Sequence, residues 1–475
     1  MKVIWPISEL RQGDNLPGSI MVFSSLLSRN GFQSEVLPDD PATIISALKP
    51  GEPAVLAFSC ATTTVARYLE VNRRVKAKRT VFSLFGGVHP TLFPEMIEEE
   101  GVDALCVGEG EGALIELLTN LSEGRSIDGI QNLHIKREGQ VYKNPIRPLI
   151  EDLDSLPVPD HKIFERAIPR TLWRTLVVTG RGCPYRCSYC SNDPYRAIYR
   201  GKGRWLRRRS VDHVMEELGA LKASRRYEFI RFVDDIFTLD QAWIEEFSEK
   251  YRRIGIPFGC LTRANYVKEP IVRCLAEAGC WSMSLGVEAA NDRIRNEIFN
   301  REMTKDEIIR ACEIIKKSGI KLGALNIVAA PDSTLKEDLE TLEFNMRLKP
   351  DYCSVLMLQP YRGTAIYEFV RKRDLLEDDP INLSWAGVNL RSFIKYPTRI
   401  EKLKVENLHK LFALVVHWPW LKRFLGPLVR LPLTRFYYWF YRRMCNYQEY
   451  FIATPLKIGL RNIVKRSRLY SWIRG

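Results

Sequence analysis

The sequence predicts an α/β protein in three parts: a doubly wound parallel sheet, a partial (β/α)6 barrel and a helical C-terminal region. Three observations carry this. Short β-rich runs alternate with helical patterns up to about Glu123, a second alternating series begins near Trp173, and from about Tyr361 the strand signal fades into helical, aromatic and increasingly basic sequence. At the usual ~100 to 200 residues per domain, a chain of 475 residues suggests two to four domains and excludes a small disulfide-stapled scaffold.

The first series reads MKVIWPI, QSEVLP, AVLAFS, TVFSLFGG and ALCVGEG, with helical segments such as GSIMVFSSLLSRNG between. Ligands of such sheets bind outside the carboxyl ends of the strands, so the loops SCATTT, GGVHPT and GEGEG are expected to share one crevice. A hairpin, NLHIKR and QVYKN turning at Glu138-Gly139, precedes a linker with Pro145, Pro148, Pro157 and Pro159. These signals divide the chain into 1–144, a linker over 145–170, a barrel over 171–360 and a helical region over 361–475.

The barrel strands are expected near LVVTG, FIRFVDD, FGCLTRA, SMSLGVE, LGALNIVAA and CSVLMLQP, with right-handed crossovers and an active face at the C-terminal strand ends. One helix shows both ends: Thr304 with Glu307 forms a capping box, Ile308, Cys312 and Ile315 a buried stripe, and Gly319 a stop.

Apolar residues make up 45% and charged residues 27%, ordinary values for a folded chain. The charge is unevenly placed. From Trp418 onward twelve Lys or Arg face a single acid, Glu449, so this tail carries +11 of the net +14 and leaves about +3 for the body. The body therefore does not read as a nucleic-acid binder. Eleven cysteines, with no basic-apolar-small leader in MKVIWPISEL, argue for reduced thiols in a cytoplasmic protein, and charges interrupt every stretch that approaches membrane-spanning length.

The strongest chemical signal is Cys183-Pro-Tyr-Arg-Cys187-Ser-Tyr-Cys190, directly after the first barrel strand and the turn Thr179-Gly180-Arg181-Gly182. Three thiolates on one loop suit three irons of a cubane cluster and leave its fourth corner open. A structural zinc site is the alternative. It would need a fourth ligand, and the common paired spacing is absent. Cys60, Cys106, Cys260, Cys274, Cys280, Cys312, Cys353 and Cys445 are scattered singly and read as small core or surface hydrophobes.

With Tyr189 before its last cysteine, the triplet resembles the signature of the radical SAM superfamily. The resemblance implies a [4Fe-4S] cluster whose free iron is chelated by S-adenosylmethionine (SAM), and one-electron cleavage of that sulfonium to a 5′-deoxyadenosyl radical. It further implies SAM contacts at Tyr189, at Asp234 and Asp235 in RFVDDIF, at Arg263 ending FGCLTRAN and at Glu288 ending SLGVEAAND. Each of the last two reads equally as one half of a structural ion pair. After the fifth strand the chain has Ala329-Ala330-Pro331-Asp332-Ser333-Thr334, which matches the family's turn only in its proline and threonine, so no adenine contact is assigned there.

The order GGVHPT, GEGE, hairpin, LDSLPVPD and the cysteine triplet resembles the cobalamin-binding subfamily of radical SAM enzymes across most of residues 1–360. This implies a Rossmann-like cobalamin-binding domain. No Asp-x-His-x-x-Gly motif is present, so cobalamin is expected base-off without a histidine beneath cobalt. Ser59, Thr62 and Thr63 are placed near its lower face, and Gly86, Gly87, His89, Gly108 and Glu109 around its tail. His89 also reads as a capping or surface histidine.

Three functions follow. The first is a cobalamin-dependent methyltransferase acting on an unactivated carbon of a lipophilic or natural-product-like small molecule, lipids included, fed by an electron donor such as flavodoxin or ferredoxin. The second is ring closure, rearrangement or oxidation with the same cofactors, and the third a noncatalytic metal- or corrinoid-binding regulator. Aromatic residues interleaved with the basic tail, among them Trp420, Trp439, Tyr470 and Trp472, suit peripheral contact with the inner face of a membrane through 418–475. A helical cap over the barrel mouth ranks second for this tail, and RNA binding last.

Overall fold

The computed structural model describes residues 1–8, 17–49, 51–167, 174–377 and 390–455. Tyr470 and Trp472 lie outside the described residues, as does Trp173.

The first sheet contains β1 (Lys2–Ile7), β2 (Gln33–Pro38), β3 (Ala54–Ser59), β4 (Phe82–Gly86), β5 (Ala104–Cys106), β6 (Leu133–Arg137) and β7 (Gln140–Lys143), in the order β2-β1-β3-β4-β5-β6-β7. β1 to β5 run parallel, while the β6–β7 hairpin adds antiparallel to the edge of β5. β1 and β3 are almost continuously apolar because helices cover both faces. Val3, Trp5, Val55 and Ala57 point into one core, and Ile4, Leu56 and Phe58 into the other. The strand order turns back between β1 and β3, which places a topological switch point there.

The second sheet contains β8 (Arg174–Val177), then β11 (Phe229–Phe232), β12 (Phe258–Thr262), β13 (Cys280–Glu288), β14 (Lys321–Val328) and β15 (Tyr352–Met357), six parallel strands in chain order. Between β8 and β11 a short antiparallel ribbon forms from β9 (Gly180–Arg181) and β10 (Arg207–Arg208). The helix Lys305–Lys317 carries the expected capping box at Thr304 and Glu307 and buries Ile308, Cys312 and Ile315.

The C-terminal region divides: the helix Ala365–Lys372 lies against the cysteine loop, where the Ile366 amide donates to Ser188 O at 2.9 Å, and the later helices close the side and lower end of this half-barrel. Val405, Leu408, Leu411 and Phe412 of the helix Arg399–His417 pack with Leu342, Val355 and Met357. The helix Thr434–Phe451 ends against the starts of the strands: Glu449 pairs with Arg174 of β8 and Arg231 of β11, and Gln448 accepts from the Cys353 amide of β15. Just beyond, Ile452 O accepts from Trp281 Nε1 at 2.9 Å and Ala453 O from Ser282 Oγ at 2.8 Å. One helix end thus bridges both edges of the sheet, so the described part of the tail, Trp418 to Pro455, packs at the strand starts and not over the mouth. Among the described residues no helix is long and apolar enough to cross a membrane.

Candidate active site

The cysteine loop leaves β8 through a turn fixed from the neighbouring strand. The Thr179 amide and Oγ1 donate to Asp234 Oδ1 at 3.0 and 2.8 Å. Gly182 follows at φ +92°, where a Cβ would lie 2.4 Å from Trp205 O, and Trp205 Nε1 donates to Cys183 O at 2.9 Å. The middle of the loop is tied down by the Ser188 amide on Phe299 O (3.1 Å) and the Cys190 amide on Cys187 O (3.0 Å).

Cys183, Cys187 and Cys190 are free thiols on this loop. Burial pushes Cys190 up to about 12, with Asp235 and the other two thiols adding to it, and raises Cys183 as well. Cys183 and Cys190 therefore stay protonated near neutrality unless a metal charge compensates the thiolates. Among the described residues no three His, Cys, Asp or Glu side chains are gathered closely enough to hold one metal ion. Three thiols on one loop suit a cubane, whose irons occupy separate corners.

The candidate SAM residues separate into two groups. Asp234 and Asp235 line a cavity of ≈ 330 Å³ with Gly180, Gly182 and Asn192. Asp234 is buried and spends Oδ1 on Thr179, while Oδ2 has no partner; burial raises its pKa against Arg208 and Thr179. Tyr189, Arg263 and Glu288 instead gather around Arg301, which donates to Tyr189 Oη at 3.0 Å and Gly286 O at 2.5 Å and lies 3.5 Å from Glu288. A Cβ at Gly286 would come within 2.7 Å of the Glu288 carboxylate, so the residue type leaves room for that acid. Arg263 is stacked 3.5 Å from the Tyr185 ring, donates to Asn265 Oδ1 at 2.8 Å and to Arg301 O, and reaches Cys187 Sγ at 3.6 Å. Its guanidinium faces the cysteine loop and is largely occupied. Glu288 has the ion-pair partner that the sequence left open.

The other crevice opens at the switch point. A cavity of ≈ 300 Å³ is lined by Trp5, Ser59, Gly86 and Gly87 of the first sheet and by Leu176 and Val178 of the second. It meets the ≈ 330 Å³ cavity and a third of ≈ 780 Å³ at Glu109, which lines all three. Contiguous, partly apolar spaces of this extent suit one large ligand spread between the two sheets. The glycines are sterically required: a Cβ at Gly87 would lie 2.7 Å from Cys60 O, and at Gly108, φ +85°, 2.0 Å from Tyr199 Oη.

Thr62, Thr63 and His89 line none of these three cavities. His89 is buried, neither a cap nor a surface residue; its Nδ1 lies 3.2 Å from Thr62 Oγ1 and its ring stacks on Phe93 at 4.3 Å. Burial, reinforced by the charge of Arg362, lowers it to about 4, so it is neutral at pH 7. Glu109 does border the cavities, but its carboxylate is committed. Arg181 donates to it at 2.8 Å, Arg207 at 3.0 Å and the Ile150 amide at 3.1 Å, and Arg181 also pairs with Glu111 at 2.6 Å. Sequence reasoning missed Arg181, Arg207, Tyr199 and Arg301. The one available signal was Arg181, inside the turn ahead of Cys183.

The linker also contributes, since Leu153, Leu156, Pro157 and Pro159 wall the ≈ 300 Å³ cavity. A three-cysteine loop whose entry turn, Gly180 and Arg181, lines a switch-point crevice suits an enzyme that joins iron-sulfur chemistry to a second, large cofactor.

Comparison with known proteins agrees. Residues 177–344 match the radical SAM superfamily and residues 8–118 the B12 binding domain. The chain is 30% identical over 366 residues to an uncharacterised methyltransferase of Pyrococcus horikoshii, covering 75% of this chain and 76% of that protein. It is 26% identical over 362 residues to the anaerobic magnesium-protoporphyrin IX monomethyl ester cyclase of Rubrivivax gelatinosus, spanning 73% of this chain and 63% of the cyclase. The radical SAM methyltransferase TsrM of Kitasatospora setae, solved with cobalamin and a [4Fe-4S] cluster, superposes with a TM-score of 0.65 at 19% identity over 80% of this chain and 79% of its own, a likeness of fold. The chain belongs to the cobalamin-binding subfamily of radical SAM enzymes. Its cofactors are a [4Fe-4S] cluster, SAM and cobalamin.

Proposed function

We propose that this enzyme transfers a methyl group to an unactivated carbon of a small, apolar substrate. The observation that carries the reading is the ≈ 330 Å³ cavity, where Gly108 and Glu109 of the first sheet face Asp234 and Asp235 of the second across one space. Residues assigned separately to cobalamin and to SAM thereby border the same volume. The similarity to a methyltransferase over three quarters of each chain points the same way.

In this reading Cys183, Cys187 and Cys190 hold the cluster, Asp234 Oδ2 and Asp235 face the SAM amine, and Ser59, Gly86, Gly87 and Gly108 bound the corrinoid. When bound, the cofactors supply one-electron cleavage of SAM and carriage of the methyl group. The chain positions them. Asp234 fixes the Thr179 turn, Gly108 lets Tyr199 close on the crevice, and the Arg181–Glu109–Arg207 cluster neutralises the carboxylate at the cavity junction. Val178, an apolar side chain 39% exposed, borders both the ≈ 300 and the ≈ 330 Å³ cavities and favours an apolar substrate beside them. No protein nucleophile is called for.

The functional division follows the sequence segments: 1–144 for cobalamin, 145–170 as linker and wall, 171–360 for the radical chemistry, and 361–475 as the helical, basic and aromatic C-terminal region. Flavodoxin or ferredoxin supplies the electron, and the basic C-terminal segment makes peripheral contact with a membrane. Reductive incubation with methyl-deuterated SAM and cell extract tests the reaction: label in an extract component supports methyl transfer. 5′-Deoxyadenosine without label in any acceptor supports ring closure or rearrangement, the reading favoured by the likeness to the cyclase.

A further inference from the structure

We infer that one aromatic face of the C-terminal helices docks on an anionic bilayer, a refinement that rests on the membrane-contact part of the reading above. Among the described residues, ten of the fourteen large hydrophobic side chains exposed to solvent fall between Trp418 and Phe451. The helix Thr434–Phe451 is two-sided. Tyr437, Tyr441, Met444 and Gln448 are buried against the half-barrel, and Phe436, Phe440, Tyr447 and Phe451 form an adjacent exposed stripe, with Trp439 beside them. Trp420 and Phe424 of the preceding turn extend the patch, with 57% and 45% of their surface exposed.

Its charge is predominantly positive, with Lys422 paired at 2.8 Å to Glu343 of the helix Leu335–Leu348. Arg423 lies 4.7 Å over Phe424 and Arg443 4.1 Å over Trp439, while Arg430 and Arg435 are exposed between them. Glu449, the single acid of the segment, is turned inward onto Arg174 and Arg231. Tryptophan and phenylalanine flanked by arginine match the headgroup layer of an anionic leaflet. Each basic side chain near such a surface strengthens binding by about fivefold. Because this helix ends on the starts of the barrel strands, docking anchors the protein by the end opposite the cysteine loop.

The test is flotation of the full-length protein with vesicles of phosphatidylcholine containing phosphatidylglycerol. The expected result is co-flotation that is absent on pure phosphatidylcholine and weakens as salt rises from ~0.1 to ~1 M, where the screening length falls from about 10 to about 3 Å. Trp420→Ala/Phe436→Ala/Trp439→Ala is expected to weaken it about tenfold or more, and Arg430→Glu/Arg435→Glu likewise, with 5′-deoxyadenosine formation in vesicle-free solution unchanged. Undiminished flotation of both variants overturns the inference. So does a vesicle-free dimer that the aromatic variant dissolves, or binding of single-stranded RNA in place of vesicles. Failure of methyl-label transfer with flotation intact removes the methyltransferase reading and leaves the docking face standing.

Discussion

Arg181 Nη1 stands 2.8 Å from Glu109 Oε1, joining the turn just ahead of Cys183 to the last ligand-side loop of the first sheet. Arg181 also reaches Glu111, and Arg207 of the adjoining ribbon strand meets Glu109 as well. The two cofactor halves are thus held in register by ions partly withdrawn from water, where removing one partner leaves an uncompensated charge.

Glu109→Ala is expected to cost about 3 kcal/mol in denaturant unfolding, because two arginines lose their shared counter-ion. Substrate methylation should fall further than 5′-deoxyadenosine formation, since the halves lose register while the cysteine loop stays whole. Burial raises the Glu109 pKa, but Arg181 and Arg207 outweigh it and the net direction is down. Its contribution is therefore fully present above the unfolded value of about 4.3 and is lost as pH falls through the lower folded value. Equal losses of both activities would argue against a coupling role.

Gly108→Ala is expected to abolish corrinoid binding or lower the melting temperature strongly. The new Cβ meets Tyr199 Oη at 2.0 Å, and the positive φ adds about 1 to 2 kcal/mol of backbone strain. Tyr199→Phe in the same chain removes only the hydroxyl, so its ring carbon, 2.8 Å from that Cβ, keeps rescue partial. Corrinoid absorbance and thermal denaturation read both effects.

In Cys187→Ala, anaerobic material is expected to lose its iron-sulfur absorption and SAM cleavage while keeping corrinoid bands, because the crevice is built from other loops. Retention of four irons in that variant would contradict the ligand assignment.

His89 is expected to contribute to acid stability. Its folded pKa of about 4 lies below the ordinary 6.5, so the unfolded chain binds the extra proton between those values. Stability should fall by about 3 kcal/mol from this group as pH drops from 6.5 to 4. In His89→Leu the pH slope of unfolding over that range should be shallower, with corrinoid uptake preserved.

The β-rich runs of the first sheet, the six barrel strands and the Thr304 cap are all carried by neighbours in sequence, and each stands where the pattern put it. The cysteine triplet is legible for the same reason, as its ligands share one loop. His89 was harder: GGVHPT has the same form whether the ring faces ligand or turns inward, and only packing on Phe93 and Thr62 selects the second. Arg263 and Glu288 do end strands as read, yet their partner Arg301 belongs to a separate loop with no motif of its own.

The amino-acid order alone determined which segments become strands, where the thiols cluster and that the tail is aromatic and basic, because periodicity, caps and ligand spacing act over a few residues. Tertiary structure decided which distant residues meet: Arg181 with Glu109 across the crevice, Tyr189 with Arg301 beside the cysteine loop, and Glu449 with Arg174 at the strand starts. Those pairs are fixed by the crossovers that bring distant strand ends together. The same packing buries one side of the last helix beneath the half-barrel and leaves the other, with its rings and arginines, facing out.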